Sequence, residues 1–307
     1  MTRLGVGLAA LGRPAYINVG RDGELPATRS VEAMRAACWA VLDEAYAAGV
    51  RRVDAARSYG LAEDFLAAWL AARGHADVIV SSKWGYAYLG DWRLDAPVHE
   101  VKEHTAARFR IQLAETLDLL GDRLALYQVH SLTLDSPLWT EADLLAALGE
   151  LRDGGVRVGF STTGPAQGET IARALDVEIG GRRLFSAVQS TWNPLEPSAA
   201  PRLAEAHAAG WSTTVKEALA NGRLAVDPPA AIIALARRHG VGPDAIALAA
   251  ALAQPWADTV LLGPAGVHQL RSNLACLEVR LDDPAGLEAL AGPPGEYWAR
   301  RSALPWT

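Results

Sequence analysis

The stretch 50–83 reads VRRVDAARSYGLAEDFLAAWLAARGHADVIVSSK and contains a complete strand–helix–strand unit. Residues 50–54 have the apolar pattern of a short strand, and residues 61–72 repeat apolar positions with the helical period until Gly74 ends the pattern. A second apolar strand pattern begins at Val78 and continues to Lys83. Two short strands joined by a helix predict parallel pairing, because the helix returns the chain to the starting edge of the sheet.

The same alternation extends over the whole chain. Eight strands are predicted, at residues 4–8, 50–54, 78–83, 124–129, 156–160, 187–189, 211–215 and 259–262. Helices are predicted at residues 30–48, 61–72, 98–120, 141–152, 169–175, 200–209, 230–238, 244–253 and 267–277. Eight such units favour a single α/β domain over residues 1–307, a closed (β/α)8 TIM barrel with an absent or minimal N-terminal hairpin. An open doubly wound parallel sheet is the alternative.

Composition excludes several classes of protein. The 307 residues carry 29 basic and 35 acidic side chains, a net charge of −6, which gives no basic footprint for nucleic acid or an anionic membrane. The apolar run at residues 245–253 is too short to span a bilayer. The two cysteines, Cys38 and Cys276, cannot form a disulfide framework of the kind that holds small secreted domains. We therefore expect a cytoplasmic, enzyme-sized domain.

Two motifs suggest chemistry that their context does not support. The pattern Gly5-Val-Gly7-Leu-Ala-Ala10 imitates a dinucleotide-binding fingerprint, but Gly12 and Pro14 interrupt the helix that it should open. His99, Glu100 and His104 resemble a zinc-binding helix, yet the histidines are five residues apart instead of four. No metal site is predicted.

Polar side chains at the ends of three neighbouring strands carry the functional signal. Asp54 ends the second strand and Tyr59 follows it, Lys83 ends the third, and His130 follows the fourth. Lysine is rare in this chain, with only Lys83, Lys102 and Lys216 among the 29 basic residues. Because the carboxyl ends of barrel strands meet on one face, we expect Asp54, Tyr59, Lys83 and His130 to converge there.

The segments around these four residues resemble the catalytic motifs of the aldo-keto reductase family. They read Asp54-Ala-Ala-Arg-Ser-Tyr59-Gly60, Ser82-Lys83-Trp-Gly85 and Tyr127-Gln-Val-His130. Two further segments, residues 188–194 and 263–274, are similar to the parts of that family that hold a nicotinamide nucleotide. The resemblance implies an NAD(P)H-dependent oxidoreductase that reduces an aldehyde or ketone to an alcohol, or catalyses the reverse reaction.

The resemblance assigns a chemical role to each of the four residues. Tyr59 is the general acid and base, and its ordinary pKa near 10 is too high for a good acid at neutral pH. The Lys83 ammonium is expected to lower that pKa, while Asp54 neutralises and orients the ammonium. His130 is expected to hydrogen-bond the carbonyl oxygen of the substrate.

Cofactor contacts follow from the same resemblance. Gln189 is expected to bind the nicotinamide carboxamide and Trp192 to stack on the ring. The remaining expected contacts are Ser161, Thr162, Lys216, Leu219, Gly263, Gln269 and Asn273. NADPH is the expected cofactor and NADH is possible, because Gly263 and Gln269 replace the lysine and arginine that many members use for the 2′-phosphate. Glu217, beside the expected pyrophosphate, is a second departure.

Aromatic residues after the third strand are candidates for the substrate pocket, chiefly Trp84, Tyr86 and Trp92. Aromatic walls suit both apolar carbonyl compounds and the C–H faces of sugars, so a small carbonyl or sugar-like substrate is expected. Two other functions remain open at this point. One is a regulatory barrel that binds the nucleotide without turnover, and the other is a non-redox lyase or epimerase that uses Tyr59 and Lys83.

Overall fold

Eight parallel strands close into a barrel. The computed structural model describes residues 2–281 and 285–307. The strands are β1 (Leu4–Gly7), β2 (Arg52–Asp54), β3 (Ile79–Trp84), β4 (Leu124–Leu132), β5 (Arg157–Thr162), β6 (Ala187–Thr191), β7 (Ser212–Lys216) and β8 (Thr259–Leu262). Each strand pairs with its neighbours in sequence, and β8 closes the barrel by pairing with β1. This confirms the (β/α)8 prediction and excludes the open sheet.

Helices surround the barrel. The α-helices are α1 (Val31–Ala47), α2 (Ala62–Arg73), α3 (Ala106–Leu120), α4 (Ala142–Asp153), α5 (Gln167–Leu175), α6 (Ala200–Ala208), α7 (Arg223–Val226), α8 (Ala230–His239), α9 (Pro243–Leu252), α10 (Val267–Leu274), α11 (Ala285–Glu288) and α12 (Pro294–Ser302). Short 3-10 helices lie at Gly121–Arg123, Pro137–Trp139 and Ala275–Leu277. In α1, Met34, Cys38, Val41 and Leu42 are buried at helical spacing. These residues form the buried face of α1.

The predicted helix at residues 98–120 begins later than expected. Thr105 caps α3 by accepting a hydrogen bond from Arg108 N at 3.1 Å, and the helix starts at Ala106. The preceding segment Glu100–Lys102 instead pairs antiparallel with Tyr86–Tyr88. His99 and His104 therefore do not share a helix, which removes the geometric basis of the zinc-like spacing.

Two glycines allow close packing of the backbone, one within the barrel wall and one in the loop after β1. Gly5 lies within β1, where an added β-carbon would be 2.9 Å from Leu261 Cδ2. An added β-carbon on Gly12 would be 2.3 Å from the carbonyl oxygen of Tyr59, and Leu61 N donates to Gly12 O at 2.8 Å. The loop after β1 can therefore pack directly on the loop that carries Tyr59 only because residue 12 has no side chain.

Candidate active site

The four residues expected to act together do meet at the carboxyl ends of β2, β3 and β4. Lys83, at 1% exposure, forms an ion pair with Asp54 and donates to Ala55 O at 2.8 Å. The hydroxyl of Tyr59 lies 3.5 Å from His130 Nε2. Lys83 Nζ lies 4.9 Å from the centroid of the Tyr59 ring. One buried cation, one carboxylate, one phenol and one imidazole thus share a single site.

The second carboxylate oxygen of Asp54 has several donors. Asp54 Oδ1 accepts hydrogen bonds from Ser81 Oγ at 2.7 Å, Gln189 Nε2 at 3.1 Å and Gln128 Nε2 at 3.2 Å. Buried carboxylates require such donors, because burial removes the water that would otherwise solvate them. Gln189, predicted to bind a carboxamide, therefore reaches the same carboxylate that pairs with Lys83.

Burial sets the protonation state of Tyr59. Burial raises the pKa of Tyr59 well above its ordinary value, Asp54 raises it further, and the Arg13 guanidinium acts in the opposite direction. Burial outweighs the lowering of this pKa expected from the Lys83 ammonium, which is itself bound to Asp54 and Ala55 O. Tyr59 therefore keeps its proton at neutral pH.

His130 is also neutral. Burial lowers the pKa of His130 well below its ordinary value, and the positive charges of Lys83 and Arg13 lower it further. Ser58 Oγ lies 3.4 Å from His130 Nδ1, and His104 Nε2 lies 2.8 Å from the His130 carbonyl oxygen. A neutral imidazole held in this way can hydrogen-bond a carbonyl oxygen without competing with Tyr59 for its proton.

His104 makes stability depend on pH. Burial lowers the pKa of His104 to about 4, so the unfolded chain binds a proton between pH 6.5 and about 4 that the folded chain does not. The free energy of unfolding should therefore fall as pH drops through that window, by on the order of 3 kcal/mol for this residue. Urea titrations across the window test this. In His104→Gln, the free energy of unfolding should change less steeply with pH. An unchanged dependence on pH would show that His104 is not its cause.

Sequence reasoning missed Arg13, which lines the site from the loop after β1. The Arg13 guanidinium pairs with Glu100 at 2.7 Å, donates to Ser58 O at 3.0 Å and lies 5.1 Å from the Tyr59 ring centroid. Both Arg13 and Glu100 line the cavity. The signal was available, since Arg13 follows a strand at the same edge as the other four residues.

A cavity of about 660 Å³ extends from the four residues across the barrel face. Six of the expected cofactor contacts line it, namely Gln189, Lys216, Leu219, Gly263, Gln269 and Asn273. Gly263 leaves open space where a side chain would stand. The volume falls within the range of small-molecule and cofactor sites. The residues that line the cavity, Tyr59 among them, are compatible with a ligand of nucleotide size.

Ser161 and Thr162 do not line this cavity. Ser161 Oγ accepts from Ser131 N at 2.8 Å, and Thr162 Oγ1 lies 2.8 Å from Ser190 Oγ. Both side chains are fully buried, whereas the next residue, Thr163, reaches the cavity. The two hydroxyls that the sequence predicted as cofactor contacts instead form hydrogen bonds to neighbouring strands.

Trp192 also lies outside the cavity lining. Its ring meets Trp256 edge-on, with centroids 6.2 Å apart and planes at 75°, and the residue is 6% exposed. This placement favours a packing role over the expected stacking on a nicotinamide ring.

Trp192→Ala should accordingly reduce the free energy of unfolding by about 3 kcal/mol, because it removes a large buried side chain. The remaining tryptophans should still be quenched when a nicotinamide nucleotide is added. Chemical denaturation and fluorescence titration of the same variant measure the two effects. A variant of normal stability that loses quenching would restore the stacking role.

The carboxylate of Glu217, expected to disturb a nearby phosphate, is neutralised within the protein. Arg301 from α12 donates to both oxygens of Glu217, at 2.6 and 2.9 Å, and Lys216 Nζ lies 3.4 Å away. Burial acts to raise the pKa of Glu217, but Arg301 and Lys216 outweigh it and hold the pKa far below its usual range. Burial lowers the pKa of Lys216 to about 8. The C-terminal segment thus contributes to the site.

Only one of the three expected pocket aromatics lines the cavity. Tyr86 does, and its ring centroid lies 5.0 Å from that of His130. Trp84 packs against Phe109, and Trp92 packs against Phe65. Two other aromatic residues take their place in the lining, Tyr16 and Trp306.

The C-terminus is anchored beside the same cavity. Thr307 and Tyr16 exchange two backbone hydrogen bonds, at 3.0 and 3.1 Å. Trp306 stacks on His99 with ring centroids 4.4 Å apart, and the Arg13 guanidinium lies 4.9 Å from the Trp306 ring. These contacts bring Trp306 to the cavity wall.

Two further properties concern the described residues, metal binding and membrane insertion. No group of three or more histidine, cysteine, aspartate or glutamate side chains there could hold a metal ion. Among the helices of residues 2–281 and 285–307, none has the length and apolar character needed to cross a membrane.

Comparison with known proteins places this geometry in a family. The model of the aldo/keto reductase family matches residues 3–285. A search of the curated proteins finds no significant match.

Solved structures with the same fold include an aldo-keto reductase from Bacillus halodurans in its holo form. It is 21% identical, with a TM-score of 0.68 over 95% of this chain and 92% of that one. A Pseudomonas aeruginosa protein assigned as an aldo-keto reductase is 22% identical, with a TM-score of 0.63 over 90% and 88% of the two chains. These likenesses agree in fold, and the family match covers nearly all of the sequence. The chain belongs to the aldo/keto reductase family and is an oxidoreductase of that type.

Proposed function

We propose that this protein is an NAD(P)H-dependent oxidoreductase that reduces an aldehyde or ketone to an alcohol, or runs the reverse reaction. The observation that carries the proposal is the neutral Tyr59 phenol, which lies beside neutral His130 and the Lys83–Asp54 ion pair in one cavity. A bound nicotinamide nucleotide supplies a hydride to the carbonyl carbon. The chain must then supply a proton to the oxygen.

Tyr59 is suited to that proton transfer. Its hydroxyl and His130 Nε2 lie 3.5 Å apart and face the cavity, so one carbonyl oxygen can accept a hydrogen bond from each. The burial that raises the Tyr59 pKa keeps the proton in place until negative charge develops on the substrate oxygen. His130 orients that oxygen by a hydrogen bond. Its imidazole is neutral, because its pKa is lowered well below the ordinary value.

Lys83 acts on the phenolate that remains after the transfer. The Lys83 ammonium lies 4.9 Å from the Tyr59 ring centroid and the Arg13 guanidinium 5.1 Å from it. Two cations at these distances stabilise a buried phenolate, which is otherwise costly in a dry site. Asp54 holds Lys83 in position and is itself held by Ser81, Gln128 and Gln189.

The nucleotide would be held along the cavity by residues of the last three strands and α10. Gln189 lies in the middle of β6, Lys216 ends β7, and Gly263 follows β8. NADPH is the cofactor that the family resemblance favours, whereas the carboxylates of Glu24 and Asp244 at the far end of the cavity favour NADH. The substrate is proposed to be a small carbonyl compound or a sugar. A cytoplasmic location accords with the use of a nicotinamide nucleotide.

A spectrophotometric assay tests the proposal. Purified protein is incubated with NADH or NADPH and a panel of aliphatic, aromatic and sugar aldehydes and ketones, and the absorbance of the reduced nicotinamide is followed. At least one compound should cause loss of absorbance that depends on the protein. Tight nucleotide binding with no turnover across the panel would favour a regulatory barrel, and conversion of a substrate without nucleotide would favour non-redox chemistry.

A further inference from the structure

The end of the cavity beside α10 carries two carboxylates, although a position like this in a barrel commonly binds an anion. In (β/α)8 barrels, phosphate groups are commonly held by the loops after the seventh and eighth strands and by a nearby helix N-terminus. Here the cavity that contains Tyr59 also reaches Gly263, His268, Gln269 and Asn273, beside the start of α10. The same lining includes the carboxylates of Glu24 and Asp244.

Glu24 comes from the loop after β1 and packs against the start of α10. Its Oε1 lies 3.0 Å from His268 Nδ1, and the Glu24 side chain is 21% exposed. A β-carbon added to Gly266, the residue that precedes α10, would lie 2.6 Å from Glu24 Oε2. The carboxylate therefore stands where a phosphate on this side of the cavity would meet the helix.

The loop that carries Glu24 is held firmly. Arg21 is 1% exposed, and its guanidinium donates to the carbonyl oxygens of Ala10, Pro14 and Thr307 at 2.6 to 3.0 Å. Glu24 N donates in turn to Arg21 O at 3.1 Å. The backbone that carries Glu24 is therefore held in place beside the cavity, and the carboxylate itself contacts His268.

Neither a lysine nor an arginine of α10 contacts this carboxylate, whose partner on that helix is His268. Arg271, the one arginine of α10, forms a bidentate pair with Glu44 at 2.7 and 3.2 Å and does not line the cavity. Gln269 accepts from Ala265 N at 2.9 Å and donates to Gly20 O at 2.8 Å. Among the described residues that line this end of the cavity, none is a lysine or arginine.

We propose that Glu24 makes this site selective for NADH over NADPH. A 2′-phosphate on the adenosine ribose would bring two negative charges against a fixed carboxylate, whereas a free 2′-hydroxyl can donate a hydrogen bond to it. The inference rests on the proposed function, because it requires a nicotinamide nucleotide in this cavity. It reverses the preference for NADPH that the family resemblance suggests.

Paired titrations test the selectivity. Quenching of tryptophan fluorescence gives the dissociation constants of NADH and NADPH for the wild-type protein, for Glu24→Gln and for Asp22→Asn. Wild type should bind NADH about tenfold more tightly than NADPH or better. Glu24→Gln should narrow the gap to within about threefold, mainly by tighter NADPH binding. Asp22→Asn, which removes an exposed carboxylate of the same loop, should leave the ratio unchanged.

Competition with adenosine fragments locates the effect. AMP should displace NADH from wild type more effectively than adenosine 2′,5′-bisphosphate does, and Glu24→Gln should reduce the difference. Equal or tighter binding of NADPH by wild type would overturn this inference alone and leave the proposed function standing. Binding of neither nucleotide would overturn both.

Discussion

Lys83→Met is expected to abolish nearly all carbonyl reduction, with a loss of about 10³-fold or more in kcat, and also to destabilise the protein. The methionine fills a similar volume but removes the cation that stabilises the Tyr59 phenolate. It also leaves the buried Asp54 carboxylate without its ionic partner, although Ser81, Gln128 and Gln189 still donate to it. Breaking a buried pair in this way costs about 3 kcal/mol in the free energy of unfolding. Steady-state kinetics and urea denaturation measure the two losses.

Lys102→Met provides the matched control for this prediction. Lys102 is exposed and its ammonium donates to Thr133 Oγ1 at 2.9 Å, so the same substitution there should leave both kcat and stability close to wild type. Normal turnover in Lys83→Met would refute the role given to the buried ammonium. Equal destabilisation in both variants would show that the cost does not come from the pair with Asp54.

Tyr59→Phe should lower kcat by about 10²-fold or more while leaving the fold and nucleotide affinity intact. The substitution removes one hydroxyl whose protein contact is long, at 3.5 Å from His130 Nε2, so little stabilisation is lost with it. What is lost is the proton donor at the developing alkoxide. Kinetics, thermal denaturation and nucleotide titration separate these effects.

Tyr46→Phe serves as the control for the hydroxyl. The Tyr46 hydroxyl donates to Asp77 at 2.9 Å, near the amino ends of β2 and β3 and therefore on the face opposite the site. That variant should keep its turnover. Retention of normal kcat in Tyr59→Phe would assign the proton transfer to another group, and a matching fall in Tyr46→Phe would point to a general effect on the fold.

The barrel and the four converging residues were predictable because they follow from periodicity and strand direction. Asp54, Lys83 and His130 lie at strand ends, and parallel strands bring such ends together whatever the details of packing. The scarcity of lysine drew attention to Lys83 before any geometry was known. Arg13 follows the same rule and could have been found by applying it to β1.

Side-chain direction and the paths of loops were not predictable in the same way. Trp84 ends β3 and Trp92 follows it, yet their rings pack against Phe109 and Phe65 and do not line the cavity. The pairing of Arg301 with Glu217 joins residues 84 positions apart, and no local pattern indicates it. Burial is likewise a property of the folded chain that no local pattern indicates. It raises the pKa of Tyr59, whereas the sequence led us to expect that Lys83 would lower it.

The most direct test of the central claim is isotope transfer. The protein is incubated with a carbonyl compound that it turns over and with NADH carrying deuterium at both C4 positions of the nicotinamide, and the alcohol product is analysed by mass spectrometry. The account predicts that the alcohol carries one deuterium atom on the carbinol carbon. In Tyr59→Phe, the rate of deuterium transfer should fall by the same factor as kcat. An alcohol without deuterium, or substrate consumed while the reduced nicotinamide persists, would contradict it.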